Sequence, residues 1–352
     1  MNLSVVIPTR NRPSYLARAM SYYAQFNEIQ LIVCDSSEQP FTAEIPKQVS
    51  YHHFPKASFV EKIQSILPSL AKDYVVLSAD DDFLLEHALI EAISFLSVNP
   101  TYTSVQGNYI AYYNLGKTLY YLPLYTQRIG KSVDFETPLE RIASYWGSGI
   151  QLFYSVYQKE AFCQVFQTAD TSIRSLNLLE YHIGLTALLL GKNKCLPVFY
   201  SVRELISNSA GTNIGLDVLV SDPNQAVQYE AFIAGVSTLF SMVQPMEKDH
   251  DGIVRQQIFQ YLSSENAKDF YRVRDRNRRI KRLIPSALRQ LIYHAWLSFN
   301  RKKNAQNNLR ISSMYPGFPF GNPLEESRLK RIEGYILKQK YKMYLIFALM
   351  QL

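Results

Sequence analysis

Cysteine is scarce in this 352-residue chain: Cys34, Cys163 and Cys195 are far apart, odd in number and set in apolar contexts. That argues against a disulfide framework or a cysteine zinc site and predicts reduced core thiols. Charge is sparse too, at 19% against 47% hydrophobic residues, which excludes a disordered chain. Long apolar runs are missing, since "IGLTALLLG" and "YLIFALM" fall short of the ~20 residues that span a bilayer. The first strand-like run begins at Leu3, leaving no room for a secretory leader before it, so a cytoplasmic protein is expected. No zinc-finger, RNA-recognition or basic-zipper pattern is present, and specific nucleic-acid binding is not expected. What remains is a globular chain rich in aromatics, with 25 Tyr and 19 Phe, long enough for one large α/β domain plus an appendage or for two ordinary domains.

The net charge of +7 is concentrated in one place. Residues 272–303 hold eleven Lys or Arg and a single acid, Asp275, so this segment alone carries +10 and the rest of the chain −3. Within it, "LIPSALRQLIYHAWLSF" is largely apolar and aromatic. The mixture suits an anionic membrane surface, and equally a solvated helix face or a patch for another polyanion. The expectation is a cytoplasmic protein that can lie peripherally on the inner face of the cell membrane.

The first hundred residues alternate strand and helix signals. "LSVVIPT", "IQLIVCD", "VSYHHF" and "YVVLSAD" read as strands; "RNRPSYLARAMSYYAQF" reads as a helix, and "SFVEKIQSILPSLAK" as one interrupted near Pro68. This order predicts βαβ units and a mainly parallel sheet covered on both faces, with ligands at the carboxyl ends of the strands. "WGSGIQLFYSVYQ" alternates as a strand does, "SLNLLEYHIGLTALLLGK" reads as a helix ending at Gly191, and "NKCLPVFYSVRE" as another strand. Beyond about Asp222 the pattern is helical and basic, with a Pro/Gly-rich break at "MYPGFPFGNP". The expected division is a catalytic-type domain over 1–220 and a helical, basic region over 221–352.

Three strand ends carry polar residues: "PTRNR", "CDSSEQ" and "ADDDF". Two unit charges ~4 Å apart repel by about 4 kcal/mol at an effective dielectric of ~20, so three successive aspartates call for a cation. In extended chain, Asp80 and Asp82 share one side and Asp81 the other. Alternatively Asp81 or Asp82 caps a helix beginning at Phe83.

In order and spacing, "VVIPTRNRPSYLARAM", "CDSS", "ADDDF" and "LLEYHIGLTALLLGKNKCLP" resemble the GT-A catalytic domain of family 2 glycosyltransferases of divergent, bacterial surface-glycan type, over about the first 210 residues. The resemblance implies a nucleotide-sugar donor, most often a UDP-sugar, with Mn²⁺ or Mg²⁺, and transfer with inversion to a hydroxyl of a saccharide or lipid-linked acceptor. It implies Asp81, supported by Asp82, at the metal, and Pro8, Thr9, Arg10, Arg12, Asp35, Lys62 and Asp80 around the donor nucleotide. Glu180, eleven residues before Gly191, is implied as the base, and Trp146, Gly147 and Gly149 as shaping the acceptor pocket. The chain departs from the family at Cys34, Ala79 and Leu179, where acids are frequent, and at Leu205, where a histidine metal ligand is common.

Each residue also has a plainer role open to it. Arg10 and Arg12 suit a solvated loop, Asp35 a turn, Lys62 an exposed helix face, Glu180 a surface acid paired with His182 or a lysine, and Trp146 a core turn. Two further functions stay in play: a catalytically inactive glycosyltransferase-like scaffold subunit, and a sugar-phosphate nucleotidyltransferase. The second usually has a Gly-rich loop after its first strand, and "PTRNRP" contains no glycine.

Overall fold

Strands buried on both faces are written mostly in apolar side chains, as in the centres of β1 (Leu3–Thr9) and β2 (Gln30–Asp35). Val6, Ile32, Cys34, Val75 and Leu77 enter one core, while Leu3, Val5, Ile7, Leu31, Val33 and Val76 enter the other. The computed structural model describes residues 1–115, 118–124, 130–146, 148, 152–205, 215–285, 288, 292, 295–296, 299–314 and 318–349.

With β3 (Val49–His53), β4 (Tyr74–Leu77), β5 (Asp82–Leu84), β6 (Tyr102–Leu115), β7 (Thr118–Pro123), β8 (Val156–Gln158) and β9 (Lys192–Glu204), the strands form one sheet of order β3-β2-β1-β4-β8-β6-β9-β5, with β7 beside β6. The expected parallel arrangement holds from β3 through β2 and β1 to β4. Beyond β4 the sheet is mixed: β8 is antiparallel to both β4 and β6, β9 is parallel to β6, and β5 is antiparallel to β9. Only two residues separate β6 from β7, whereas a parallel crossover takes a dozen or more, so this pair is antiparallel.

One face is covered by α1 (Pro13–Tyr23) and α3 (Glu86–Val98), the other by α2 (Phe59–Ile66), α5 (Lys159–Gln167) and α6 (Leu176–Leu190). A further helix, α4 (Pro138–Tyr145), lies where no helix is expected from the sequence; Thr137 and Glu140 form its reciprocal cap. The strand expected after Trp146 covers only Val156–Gln158 among the described residues.

The C-terminal region is helical: α7 (Leu216–Ser221), α8 (Ala226–Val243), α9 (His250–Ser263), α10 (Glu265–Leu283) and the helices Arg301–Met314 and Pro323–Leu349. Residues Pro223–Val243 make 21 helical residues of mean hydropathy 1.3, long and apolar enough to cross a membrane, which the sequence reading overlooked. Here Phe232, Ile233, Val236 and Phe240 are instead buried in the core shared with α6. Arg301–Met314 lies along β7, where Asn308 donates to the Tyr121 carbonyl at 2.9 Å. Pro323–Leu349 returns to α1, burying Leu329, Ile332 and Ile336 in the same core as Tyr22, Tyr23 and Leu84.

Candidate functional site

The carboxyl ends of β1 and β4 lie side by side, and the chain leaves both in tight turns. After β1, Asn11 takes a positive φ of 54°, and Pro13 opens α1 with its φ already suited to a helix. After β4, Asp80 and Asp81 form a turn closed by the Asp82 N–H donating to the Ala79 carbonyl at 3.2 Å. Asp82 then starts β5, and α3 begins only at Glu86 with Leu85 at its N-cap. Neither Asp81 nor Asp82 caps a helix.

The turn also rearranges the aspartates relative to an extended chain. Asp80 and Asp81, not Asp80 and Asp82, share a partner: the Arg12 guanidinium lies 2.6 Å from Asp80 Oδ1 through Nη1 and 2.6 Å from Asp81 Oδ2 through Nη2. Thr9 Oγ1 donates to Asp80 Oδ2 at 2.6 Å. Asp82 pairs with Arg203 on β9, Nε to Oδ2 at 2.9 Å. Burial raises the Asp80 carboxyl to about 6, with the Asp81 charge acting the same way against Arg12 and Thr9. Burial likewise raises Asp82, opposed by Arg203.

Behind the turn, Arg18 pairs with Glu204 at 2.7 Å, and Tyr112 Oη donates to the same carboxylate at 2.7 Å. Tyr23 Oη bonds Ser78 at 2.7 Å and accepts the Leu84 N–H at 2.9 Å, fixing both sides of the turn from the core.

A cleft of about 630 Å³ opens over this rim. Pro8, Thr9, Arg10, Arg12, Lys62, Asp80, Asp81, Asp82 and Glu180 all line it, so nine of the residues singled out in the sequence meet in one place. Glu180, half-buried, projects from the second turn of α6, a helix started by Ser175 Oγ accepting the Leu178 N–H. The wall also includes Lys56, Phe59, Tyr154, Arg174, Arg203, Glu204 and Leu205, which no motif marked as site residues.

Lys62 is not an exposed helix lysine. It is 4% exposed, and its Nζ donates to the Thr9 carbonyl at 2.8 Å and to Ser36 Oγ at 3.2 Å, so it ties α2 to the ends of β1 and β2. Burial lowers its amine to about 8, against the pull of Asp35 and Asp80. Asp35 is set back from the wall. Ser37 donates to its Oδ1 through both N–H and Oγ, at 2.8 and 2.5 Å, and Tyr51 Oη donates to its Oδ2 at 2.7 Å, so the carboxylate holds the turn after β2 and does not present itself to a base.

Trp146 also lies outside the cleft wall. Its ring stacks on Tyr181 at 5.4 Å and Tyr261 at 5.8 Å, and its Nε1 donates to Gln257 at 3.1 Å, joining α4, α6 and α9. Gly147 and Gly149 lie outside the described residues. His182 is fully buried, bonded to the Val165 carbonyl at 3.1 Å, and pushed down to about 4 by burial; it is a packing residue.

The donor set suits a hard divalent ion. Asp81 and Asp82 each use Oδ2 on an arginine, while Oδ1 has no hydrogen bond among the described residues. Mg²⁺ and Mn²⁺ commonly take one or two carboxylates and complete their shell with phosphate and water. Among the described residues no three His, Cys, Asp or Glu side chains converge on one point, so phosphate and water oxygens would have to supply the rest.

No protein-family model matches the sequence, and no curated protein is similar to it. Among solved structures, S. aureus TarS 1-349 in complex with UDP is similar at 13% identity and a TM-score of 0.46, over 77% of this chain and 92% of that one. The same TarS fragment in complex with UDP-GlcNAc gives 13% identity and a TM-score of 0.45, over 74% and 80%. Against the longer S. aureus TarS chain the TM-score is 0.44 at 13% identity, and this chain spans half its length. These are loose likenesses of chain path, and the roles proposed below rest on this chain's own cleft.

Proposed function

We propose that the chain is a glycosyltransferase of GT-A type that moves a sugar from a nucleoside-diphosphate donor, most simply a UDP-sugar, to a hydroxyl of a saccharide or lipid-linked acceptor. The observation that carries this reading is the arginine-clasped acidic turn at the end of β4, which shares one strand-end cleft with Lys62 and Glu180. Cationic groups at one part of the cleft suit a diphosphate, and a carboxylate elsewhere in it suits proton removal.

In the proposed reaction, Thr9, Arg10 and Lys62 bind and orient the donor. An acceptor hydroxyl oxygen bonds to the anomeric carbon as the carbon–oxygen bond to the diphosphate breaks, its electron pair leaving on phosphate. Glu180 takes the hydroxyl proton. Attack on the face opposite the leaving group inverts the anomeric centre. A Mn²⁺ or Mg²⁺ ion held by Asp81 and Asp82 would offset charge on the diphosphate. Arg203 and Arg18 keep the turn in place from behind.

The products assigned to this activity are surface polysaccharide or glycolipid intermediates made on the cytoplasmic side. A peripheral membrane position is proposed from the exposed Phe270, Val273, Trp296 and Phe299 within or beside the +10 segment. The experiment is to titrate the full chain with a panel of nucleotide sugars and Mn²⁺, following binding and slow donor hydrolysis. A UDP-sugar is expected to bind and hydrolyse, and Asp81→Ala to abolish hydrolysis. Absence of binding by every donor overturns the reading, and donor binding without hydrolysis by any variant favours the scaffold alternative.

A further inference from the structure

Arg12 occupies a notch between Asp80 and Asp81, the second of which is assigned above to the cation. Its two terminal nitrogens each take one oxygen, from Asp80 and from Asp81, both at 2.6 Å. The pairing spans almost seventy residues of chain and joins the turn after β1 to the turn after β4. Two neighbouring carboxylates in a buried turn repel unless a positive charge lies between them. Between Asp80 and Asp81 that charge is the Arg12 guanidinium.

The anchoring of Arg12 differs from that of its neighbours. Its backbone is fixed, being the N-cap residue of α1 directly after the positive-φ Asn11. Its side chain is 21% exposed and opens on the cleft, with the guanidinium carbon 4.3 Å above the Tyr15 ring. Arg18, by contrast, is buried in its pairing with Glu204. Arg12 therefore has a stacking surface beside it and room in front of it, so its side chain can leave the notch without moving the helix.

We propose that Arg12 is a resident counter-ion that competes with the divalent cation for Asp81 and is displaced when cation and nucleoside diphosphate arrive together. This rests on the donor-and-metal reading above. Displacement by the cation alone leaves a guanidinium without a carboxylate; displacement with a diphosphate gives it phosphate oxygens in exchange. The protein should then bind the divalent ion weakly by itself and strongly only with nucleotide, so that free metal does not occupy the site in advance.

The test is Mn²⁺ binding by the full chain, read from the loss of the aqueous Mn²⁺ paramagnetic resonance signal, with and without UDP. Wild type, Arg12→Gln, Arg12→Lys and Asp81→Asn are compared, with thermal unfolding confirming that each is folded. Removing a competing cation from two carboxylates is worth about tenfold or more in affinity, so Arg12→Gln should bind Mn²⁺ alone at least that much more tightly than wild type and gain less from UDP. Arg12→Lys, which keeps the charge but loses the two-pronged geometry, should fall between them and serves if the glutamine variant does not fold. Equal or weaker Mn²⁺ binding by Arg12→Gln or Arg12→Lys, while both wild type and variant bind it with UDP, overturns the inference and leaves the metal reading intact. If no protein binds Mn²⁺ even with UDP, the metal reading itself fails, and the inference with it.

Discussion

Asp82 and Arg203 face each other twice, as register partners on antiparallel β5 and β9 and as an ion pair at 2.9 Å. The backbone pairing brings the side chains together, and the ion pair offsets the cost of a carboxylate that is otherwise buried. Removing one partner of such a pair strands the other. Arg203→Met should cost about 3 kcal/mol of stability, and Arg203→Met with Asp82→Asn should recover most of it. Urea unfolding of the two single variants and the double variant measures this; additive losses would show that the two residues do not support one another.

Lys62 should cost stability at neutral pH. Its amine is lowered from 10.5 to about 8, so the penalty is absent above pH 10.5, grows as pH falls between 10.5 and about 8, and is complete below 8. At 1.36 kcal/mol per unit the penalty approaches about 3 kcal/mol, less about 1–2 kcal/mol for the two hydrogen bonds that a substitution removes. Lys62→Met is therefore expected to be more stable than wild type at pH 7, with the advantage fading toward pH 10, and to bind UDP about tenfold or more weakly. Unfolding at the two pH values and calorimetric UDP titration check both halves. A variant less stable at pH 7 with unchanged UDP affinity would make Lys62 a purely structural tie.

Glu180→Gln keeps the shape of the side chain and removes its basicity. Donor hydrolysis or transfer should fall by about 10²–10⁴-fold while UDP affinity changes little. Initial rates beside UDP titration separate the effects; a matched loss of binding and rate would place Glu180 on the donor instead.

The basic, aromatic segment predicts attachment to anionic lipid. Phe270 and Phe299 are 59% and 91% exposed, and Arg272 and Arg276 are exposed close by. Each basic residue at such a surface adds about 1 kcal/mol. Phe270→Ser with Phe299→Ser should release the protein from phosphatidylserine liposomes in co-sedimentation. No preference for anionic over neutral liposomes would remove the proposal.

The first hundred residues were legible because doubly buried parallel strands leave unbroken apolar runs, and the rim residues follow directly after them. What sequence did not convey were contacts made over long separations. Asp82 finds Arg203 across 121 positions, and Asp35 is claimed by Tyr51 on a neighbouring strand. Lys62 looks like a surface lysine in sequence, and only the convergence of the ends of β1 and β2 on α2 reveals that it is buried. Phe83 and Leu84 looked helical because α3 follows at once, yet pairing with β9 draws them into the sheet. Trp146 carries no local sign that Tyr181 and Tyr261 will sandwich it.

The return of the helix Pro323–Leu349 to α1 bears on how the chain is made. Tyr22, Tyr23 and Leu84 are synthesised well over two hundred residues before Leu329, Ile332 and Ile336, yet one core contains them all. On the ribosome, that part of the apolar face stays uncovered until residue 336 has emerged, so α1 and β5 complete their packing long after they appear. Until the helix Pro323–Leu349 has emerged, the nascent chain should expose this face to holding chaperones, and a ribosome stalled before residue 323 should display an aggregation-prone intermediate.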